Sequence, residues 1–187
     1  MEFRPVAETS VTLGQAISTE RALLGQAGTG ALTVNGSAGS ASFLRLRHNV
    51  GAGWSLFGHV EMGTMQVSGN GALTALNDVR TSQYGVGLAF RGDGETFGFA
   101  VSQPLRADRA QAQFKLATGR DLTGGVQYRT EKVALRPSGR QMDLDMSYKR
   151  SLSRSANMGV HASYSHDAGH VAGVRDYGVM VKYSVGF

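Results

Sequence analysis

The chain ends in the stretch Tyr177-Gly178-Val179-Met180-Val181-Lys182-Tyr183-Ser184-Val185-Gly186-Phe187. Its odd positions hold tyrosine, valine and phenylalanine, and its even positions hold mostly glycine, serine and lysine. Successive side chains of a β-strand point to opposite faces, so this period of two predicts a strand with one apolar and one polar face. Strands of soluble domains usually have about five or six residues, whereas a strand that crosses a layer about 25 Å thick is longer. The length of the alternation therefore favours a strand that crosses a membrane.

The same alternation recurs along most of the chain. Segments rich in glycine and aspartate separate the runs, as expected for turns between antiparallel neighbours. Pro104 and Pro137 lie at the ends of runs, where a missing N–H does not interrupt strand pairing. Counting back from the C terminus, we predict strands near residues 176–187, 156–166, 140–149, 123–134, 110–118, 96–105, 81–91, 53–64 and 41–49.

The first forty residues alternate less clearly. Ala31 to Gly36 predicts a short tenth strand, Val6 to Gln15 alternates weakly, and Ser18 to Ala27 is compatible with one short helix. We therefore expect residues 1–28 to form a linker, a plug or the first strands, and residues 29–187 to form the main domain.

Composition bounds the class of protein. The chain has 187 residues, 26 of them glycine, no cysteine and only 18% charged residues, which fits a single domain without disulfides or a thiol nucleophile. The formal charge is +5, but the lysines and arginines are scattered, so we predict no nucleic-acid partner. The sequence contains no run of 18 apolar residues, so it predicts no membrane-spanning helix.

These observations predict an all-β fold, a closed antiparallel transmembrane β-barrel of 10 to 12 strands. The first and last strands of a closed antiparallel barrel can pair only if the strand number is even. Two numbers remain possible: ten strands, with residues 1–28 as a plug or linker, or twelve strands, with residues 1–28 in the wall. The connections 150–155, 119–122, 92–95 and 50–52 are short and predicted to share the periplasmic end. The two long loops, Met65–Arg80 and Asp167–Arg175, are predicted at the outer end.

Three further stretches point to a family. They are Val101-Ser102-Gln103-Pro104-Leu105-Arg106, then Arg136 to Leu144, then Tyr164 with Asp167-Ala168-Gly169-His170-Val171-Ala172-Gly173. Together they resemble the C-terminal β-domain of subtilisin-type serine peptidase autotransporters of Gram-negative bacteria. The resemblance covers about the last half of the chain.

The resemblance implies a β-domain in the bacterial outer membrane that lets a passenger domain reach the cell surface and performs no chemistry itself. The terminal Phe187, with the alternating aromatics before it, resembles the signal by which the barrel assembly machinery recognises outer-membrane proteins. No passenger or subtilisin-like motif occurs in these residues. We therefore expect a signal peptide and a protease-like segment to precede Met1 in a longer precursor.

The face assignment predicts the site residues. The predicted lumen-facing polar side chains are Arg129, Asp143, Asp145, Lys149, His161 and Lys182. A lumen lined by both signs of charge would form ion pairs across the barrel or a hydrated path. The predicted lipid-facing and assembly-signal residues are Tyr177, Val179, Val181, Tyr183, Val185 and Phe187.

Other candidate sites have simpler explanations. Asp143 and Asp145 share a strand face, but no substrate pocket accompanies them, so we predict no enzyme. His166 and His170 fall in a glycine-containing loop rather than on one helix face, so we predict no metal. The glycine-rich residues 25–39 lack a phosphate-binding motif, and we predict no cofactor.

We therefore expect a protein that anchors a passenger in the outer membrane and helps to export it. Its partners would be outer-membrane lipids, the barrel assembly machinery and the passenger. The alternative is a soluble β-sandwich used for binding or adhesion, in which the apolar face packs against a second sheet. The alternative predicts folding in water without detergent.

Overall fold

The residues that the structure describes form one antiparallel sheet of ten strands. A computed structural model describes residues 2–6, 8–21, 30 and 33–186, with residues 2–6 described as backbone only. A short 3₁₀ turn spans Ala168–His170. The strands are β1 (Glu2–Val6), β2 (Thr9–Glu20), β3 (Val34–Gly51), β4 (Trp54–Gly69), β5 (Leu73–Gly92), β6 (Glu95–Arg120), β7 (Val126–Ala134), β8 (Met142–Ser151), β9 (Ala156–His166) and β10 (Arg175–Val185).

Each strand from β1 to β6 pairs with the next one along the chain. The order then continues β6, β8, β9, β10, while β7 pairs only with the distal half of β6. The prediction of an all-β antiparallel fold is confirmed. The sheet is open, because β1 and β10 form its edges and do not pair with each other among the described residues.

The length of strand β6 shows that two predictions from the sequence are wrong. Residues 96–105 and 110–118, predicted as two strands, belong to one strand of 26 residues. Pro104 lies inside this strand, where the register between β5 and β6 shifts, and such irregularities tolerate a residue without an N–H. Because β6 does not turn back, the 119–122 connection lies at the opposite end of the sheet from the 92–95 connection. Its predicted place at the same end is wrong.

The N-terminal region also differs from the prediction. Ser18, Thr19 and Glu20 pair with β3 as part of β2, so the helix predicted from Ser18 to Ala27 is wrong at its start. The rest of that segment, from Ala22, lies outside the described residues. The predicted short strand Ala31–Gly36 ends inside β3, and the predicted long loop Met65–Arg80 is mostly strand, with only residues 70–72 between β4 and β5.

The sheet has little dry core. The chain exposes 12,732 Å², whereas a globular protein of this mass exposes about 8,600 Å². Among the described residues the buried apolar side chains are Val67, Val79, Ala110, Ala112 and Ala156. The sandwich alternative needs a second sheet packed on the first, and the described residues form only one. No helix in the described ranges is long and apolar enough to span a membrane.

Candidate functional site: a sheet with one apolar and one polar face

The strand register builds one continuous apolar face. Residues directly opposite each other on neighbouring strands point to the same face, so the pairing extends each strand's alternation across the sheet. Val181 pairs with Val160, Val160 with Tyr148, and Tyr148 with Phe97. The face includes Val11, Leu13, Ile17, Leu44, Leu46, Trp54, Leu56, Val60, Met62, Tyr84, Val86, Leu88, Phe90, Phe97, Phe99, Val101, Leu144, Met146, Tyr148, Met158, Val160, Ala162, Tyr164, Tyr177, Val179, Val181, Tyr183 and Val185.

Much of this apolar face is open. Met62 is 65% exposed, Val86 is 61% exposed and Val179 is 75% exposed, although they lie on three different strands. Soluble monomers rarely expose contiguous apolar patches larger than a few hundred Å². The face therefore requires a lipid phase or another protein surface to cover it.

An aromatic row crosses the apolar face near the end with the short turns. Trp54 pairs with Phe90, Phe90 with Phe97, and Phe97 with Tyr148. The rings of Trp54 and Phe90 have centroids 5.0 Å apart, and the hydroxyl of Tyr148 donates to the Glu95 carboxylate at 3.0 Å. Aromatic rings at the edge of an apolar band, above all amphipathic rings such as those of Trp54 and Tyr148, are typical of a membrane interface.

The opposite face is built from small and polar side chains, with Phe43, Phe57 and Met180 among the exceptions. Rings on this face lie over glycines of the neighbouring strand: Phe43 over Gly14, Phe57 over Gly87, and His59 over Gly85. In each pair the ring occupies the space in which a Cβ of the glycine would stand. The glycines therefore allow large side chains to lie flat along this face.

Five of the predicted lumen-facing residues share this polar face, namely Asp143, Asp145, Lys149, His161 and Lys182. The His161 Nε2 atom lies 3.3 Å from Asp145 Oδ1, and Asp143 accepts a 2.7 Å hydrogen bond from the Gln141 side chain. Asp143 and Asp145 thus have partners within the sheet.

Two predicted residues fall elsewhere. Arg129 lies on β7, pairs with Leu116 and contacts Glu131 at 2.5 Å, so it is not brought together with the other five. Phe187 lies outside the described residues. The other predicted lipid-facing residues, Tyr177, Val179, Val181, Tyr183 and Val185, share the apolar face of β10.

Residues from the stretches 101–106, 136–144 and 164–173 meet in a polar cluster that we call the junction. It comprises Ser82, Gln103, Arg106, Asp108, Pro137, Gly139, Arg140, Gln141, Asp167 and His170. The junction fills the stretch of β6 between its pairing with β8, which ends at Ser102, and its pairing with β7, which begins at Gln111.

Arg106 holds the centre of the junction and is only 4% exposed. Its Nε donates to the Gly139 carbonyl oxygen at 3.1 Å, its Nη1 donates to Asp108 at 2.7 Å, and its Nη2 donates to the Pro137 carbonyl oxygen at 3.4 Å. Gln103, which is 1% exposed, donates to Ser82 and accepts from Arg140 at 2.8 Å. Side chains therefore replace strand pairing along this part of β6.

His170 and Asp167 join the connections 135–141 and 167–174 at the junction. The backbone N–H of Gln141 donates to His170 Nδ1, so Nε2 carries the proton that is donated to the Leu105 carbonyl oxygen, each at 3.0 Å. Both ring nitrogens of His170 are thus occupied by hydrogen bonds, and no three potential metal ligands come together in the described part of the chain.

Asp167 accepts backbone hydrogen bonds from Gly173 at 2.8 Å and Arg140 at 3.2 Å, and these bonds lower its pKa.

Burial alone would raise the pKa of Asp108. Hydrogen bonds from Ser82 and Arg106, with the positive charges of Arg106 and Arg140, outweigh the burial, so the pKa lies below its ordinary value. Sequence reasoning missed Asp108 and did not assign Arg106 a role. The only signal was that Arg106 belongs to one of the three resembling stretches.

Comparisons with protein-family models, curated proteins and solved structures found no match for the chain.

Proposed function

We propose that the chain forms the wall of an outer-membrane β-barrel that anchors a passenger domain and helps to export it. The observation that carries the proposal is the exposed apolar face, continuous over β2–β6 and β8–β10, opposite a face of glycine, polar and charged residues. In hydrocarbon every backbone N–H and C=O needs a partner, and a closed sheet supplies one. Lipid would cover the apolar face, and water would fill the interior.

The lengths of the last strands support this proposal. Strands β8, β9 and β10 have 10, 11 and 11 residues, and a tilted strand needs about 9–11 residues to cross the hydrocarbon layer. We take these strands and the facing part of β6, Glu95–Ser102, as membrane-spanning. The junction and the β6–β7 hairpin would then lie beyond the lipid.

The free edge of β10 supports closure. All eleven residues of this strand are exposed, and a long edge with an apolar face invites pairing with another strand. In the proposed barrel this edge pairs with the strand that closes the cylinder, giving ten or twelve strands in all.

The connections suggest an orientation. At one end, two residues join β3 to β4, two join β5 to β6, and four join β8 to β9. The opposite end carries the three-residue connection from β4 to β5 and the longest connections, among them residues 135–141 and 167–174. Outer-membrane barrels have short periplasmic turns and longer outer loops, so we assign the short-turn end to the periplasm.

The export role rests on the family resemblance. Its three stretches are far apart in the sequence but converge on the junction, which would stand at the outer mouth of the barrel. This convergence supports the view that they form one functional unit, at the place where an exported segment would leave the lumen.

The proposal is tested by folding the chain into neutral detergent and into lipid vesicles, then comparing boiled and unboiled samples by gel electrophoresis. We expect the unboiled chain to migrate differently and to stay in the vesicles under alkaline extraction. A folded, detergent-free monomer with no heat-dependent migration would contradict the proposal and favour a soluble binding module.

A further inference from the structure

Two lysines flank a glycine on the polar face. Lys149 of β8 and Lys182 of β10 both pair with Gly159 of β9. The two Cα atoms are therefore two strand spacings apart, or about 10 Å. A Cβ on Gly159 would find no atom closer than 3.6 Å, so the space between the lysines is open.

The row continues with a third cation. Lys149 pairs with Thr96, and Thr96 pairs with Arg91. We call Arg91, Thr96, Lys149, Gly159 and Lys182 the basic row. None of its three cations forms an ion pair within the described part of the chain.

The aspartates on the polar face of β8 and β10 lie away from the basic row. Asp145 lies four residues along β8 from Lys149, which is about 13 Å of strand, and contacts His161. Asp143 and Asp176 lie further towards the outer end. Along β8 and β10 the polar face is therefore basic at the short-turn end and acidic towards the other. Of the acids at the basic end, Asp93 lies in the turn after Arg91, and Glu95 lies on the opposite face, where its carboxylate accepts from Tyr148.

The lysines border a groove of about 270 Å³ that also contains uncharged donors, among them Ser147, Asn157 and Ser184. A tetrahedral oxyanion accepts hydrogen bonds from several directions, whereas a carboxylate offers only two oxygens. Lysine is a common point-charge partner of phosphate. The donor set thus fits a compact phosphate species better than a carboxylate.

We propose that the groove between Lys149 and Lys182 binds a phosphate-type anion over Gly159. This inference rests on the proposed function, in which the polar face lines a hydrated interior. The phosphate would therefore come from water rather than from a lipid headgroup, which approaches the opposite face. A ring of basic side chains at a pore end is also typical of anion-selective paths.

The test is calorimetric titration of inorganic pyrophosphate into the full chain, folded in neutral detergent at low ionic strength. We expect saturable binding that Lys149→Met or Lys182→Met weakens about tenfold, as expected for the loss of one charge-assisted hydrogen bond. The double variant should not bind. Lys132→Met on β7 is the matched control and should bind as the unaltered chain does.

Gly159→Leu distinguishes binding in the groove from non-specific electrostatic attraction, because the leucine side chain fills the groove while both lysines remain. We expect this variant to lose binding. Unchanged binding by Gly159→Leu would overturn the inference, as would the absence of saturable binding by a chain that shows heat-dependent migration. Both results leave the proposed function standing.

Two further outcomes separate the inferences. Competition by phosphatidylglycerol in the micelle would mean that headgroups reach the lysines, and would overturn the assignment to a water-borne phosphate. Pyrophosphate binding by a detergent-free monomer, lost on Gly159→Leu, would support the groove while contradicting the membrane barrel.

Discussion

The guanidinium of Arg106 and the carbonyl oxygen of Gly139 are joined by a hydrogen bond of 3.1 Å across 33 positions of sequence. The two residues belong to segments that are not paired as strands. The bond therefore substitutes for the backbone ladder where β6 exchanges one partner strand for another. Because Arg106 is nearly fully buried, its charge depends on Asp108 and on two carbonyl oxygens for compensation.

Arg106→Met should destabilise the folded chain by about 1–3 kcal/mol, because it leaves the buried carbonyl oxygens of Pro137 and Gly139 without this donor, while Asp108 keeps only Ser82 and Arg140. Reversible urea unfolding in lipid vesicles measures the change. Arg109→Met is the control, since Arg109 is 64% exposed and its 3.5 Å contact with Asp78 lies at the surface. Its cost should be within about 1 kcal/mol. Equal losses for the two variants would contradict the role given to the junction.

Protonation of the Asp108 carboxylate in acid should lower the stability of the folded chain. The lowered pKa of this group means that its carboxylate stabilises the folded chain above pH 3.8, and that this stability is lost as the pH falls through the lowered value. Asp108→Asn should therefore be less stable than the unaltered chain near neutral pH and should lose less stability below about pH 4. Unfolding titrations at several pH values measure this. Parallel stability curves for the two chains would contradict the assignment.

The two faces should differ in their tolerance of charge. Val181 lies on the apolar face and is 66% exposed, whereas Ser184 lies on the polar face of the same strand. Val181→Arg should cost about 2–4 kcal/mol if it lies near the bilayer midplane, and Ser184→Arg should cost less. Reversible folding into vesicles measures both. Equal costs would argue against the assigned faces.

The effect of replacing a strand glycine with alanine should depend on which atoms lie next to the added methyl group. At Gly87 a methyl group would collide with the Phe57 ring and the Phe99 carbonyl oxygen, so Gly87→Ala should destabilise by about 1–3 kcal/mol. At Gly159 the nearest atom, the Tyr148 carbonyl oxygen, is 3.6 Å away. Gly159→Ala should therefore leave the stability unchanged or raise it by about 0.5 kcal/mol. The order is tested by urea unfolding, and a reversed order would contradict the ring-over-glycine arrangement.

Alternation predicted most strands and their faces, because period two depends only on local geometry. It failed at residues 105–110, where Arg106, Asp108 and Arg109 interrupt the apolar pattern and suggest a gap between strands. The strand continues there because its backbone stays paired with β5, Arg106 with Ser82 and Ala107 with Thr81. The strand pairing of Ser18–Glu20 with β3 likewise overrides a local helical preference.

The site was predictable to a similar degree. Alternation assigned Lys149 and Lys182 to the polar face, but it could not show that both flank Gly159, because that relation depends on the register of three strands. The junction was not predictable for the same reason, since its members lie on segments that only the fold brings together.

Trp54 reports directly on whether the apolar face meets lipid. This is the chain's single tryptophan, it lies on the apolar face, and it is 41% exposed. In vesicles that contain brominated lipids, we expect strong quenching of Trp54 fluorescence by the lipid and weak quenching by acrylamide in the water. The control is Trp54→Phe with Phe57→Trp, which moves the fluorophore to the polar face and should reverse both responses. Quenching of Trp54 by acrylamide but not by brominated lipid would contradict the proposal that lipid covers the apolar face.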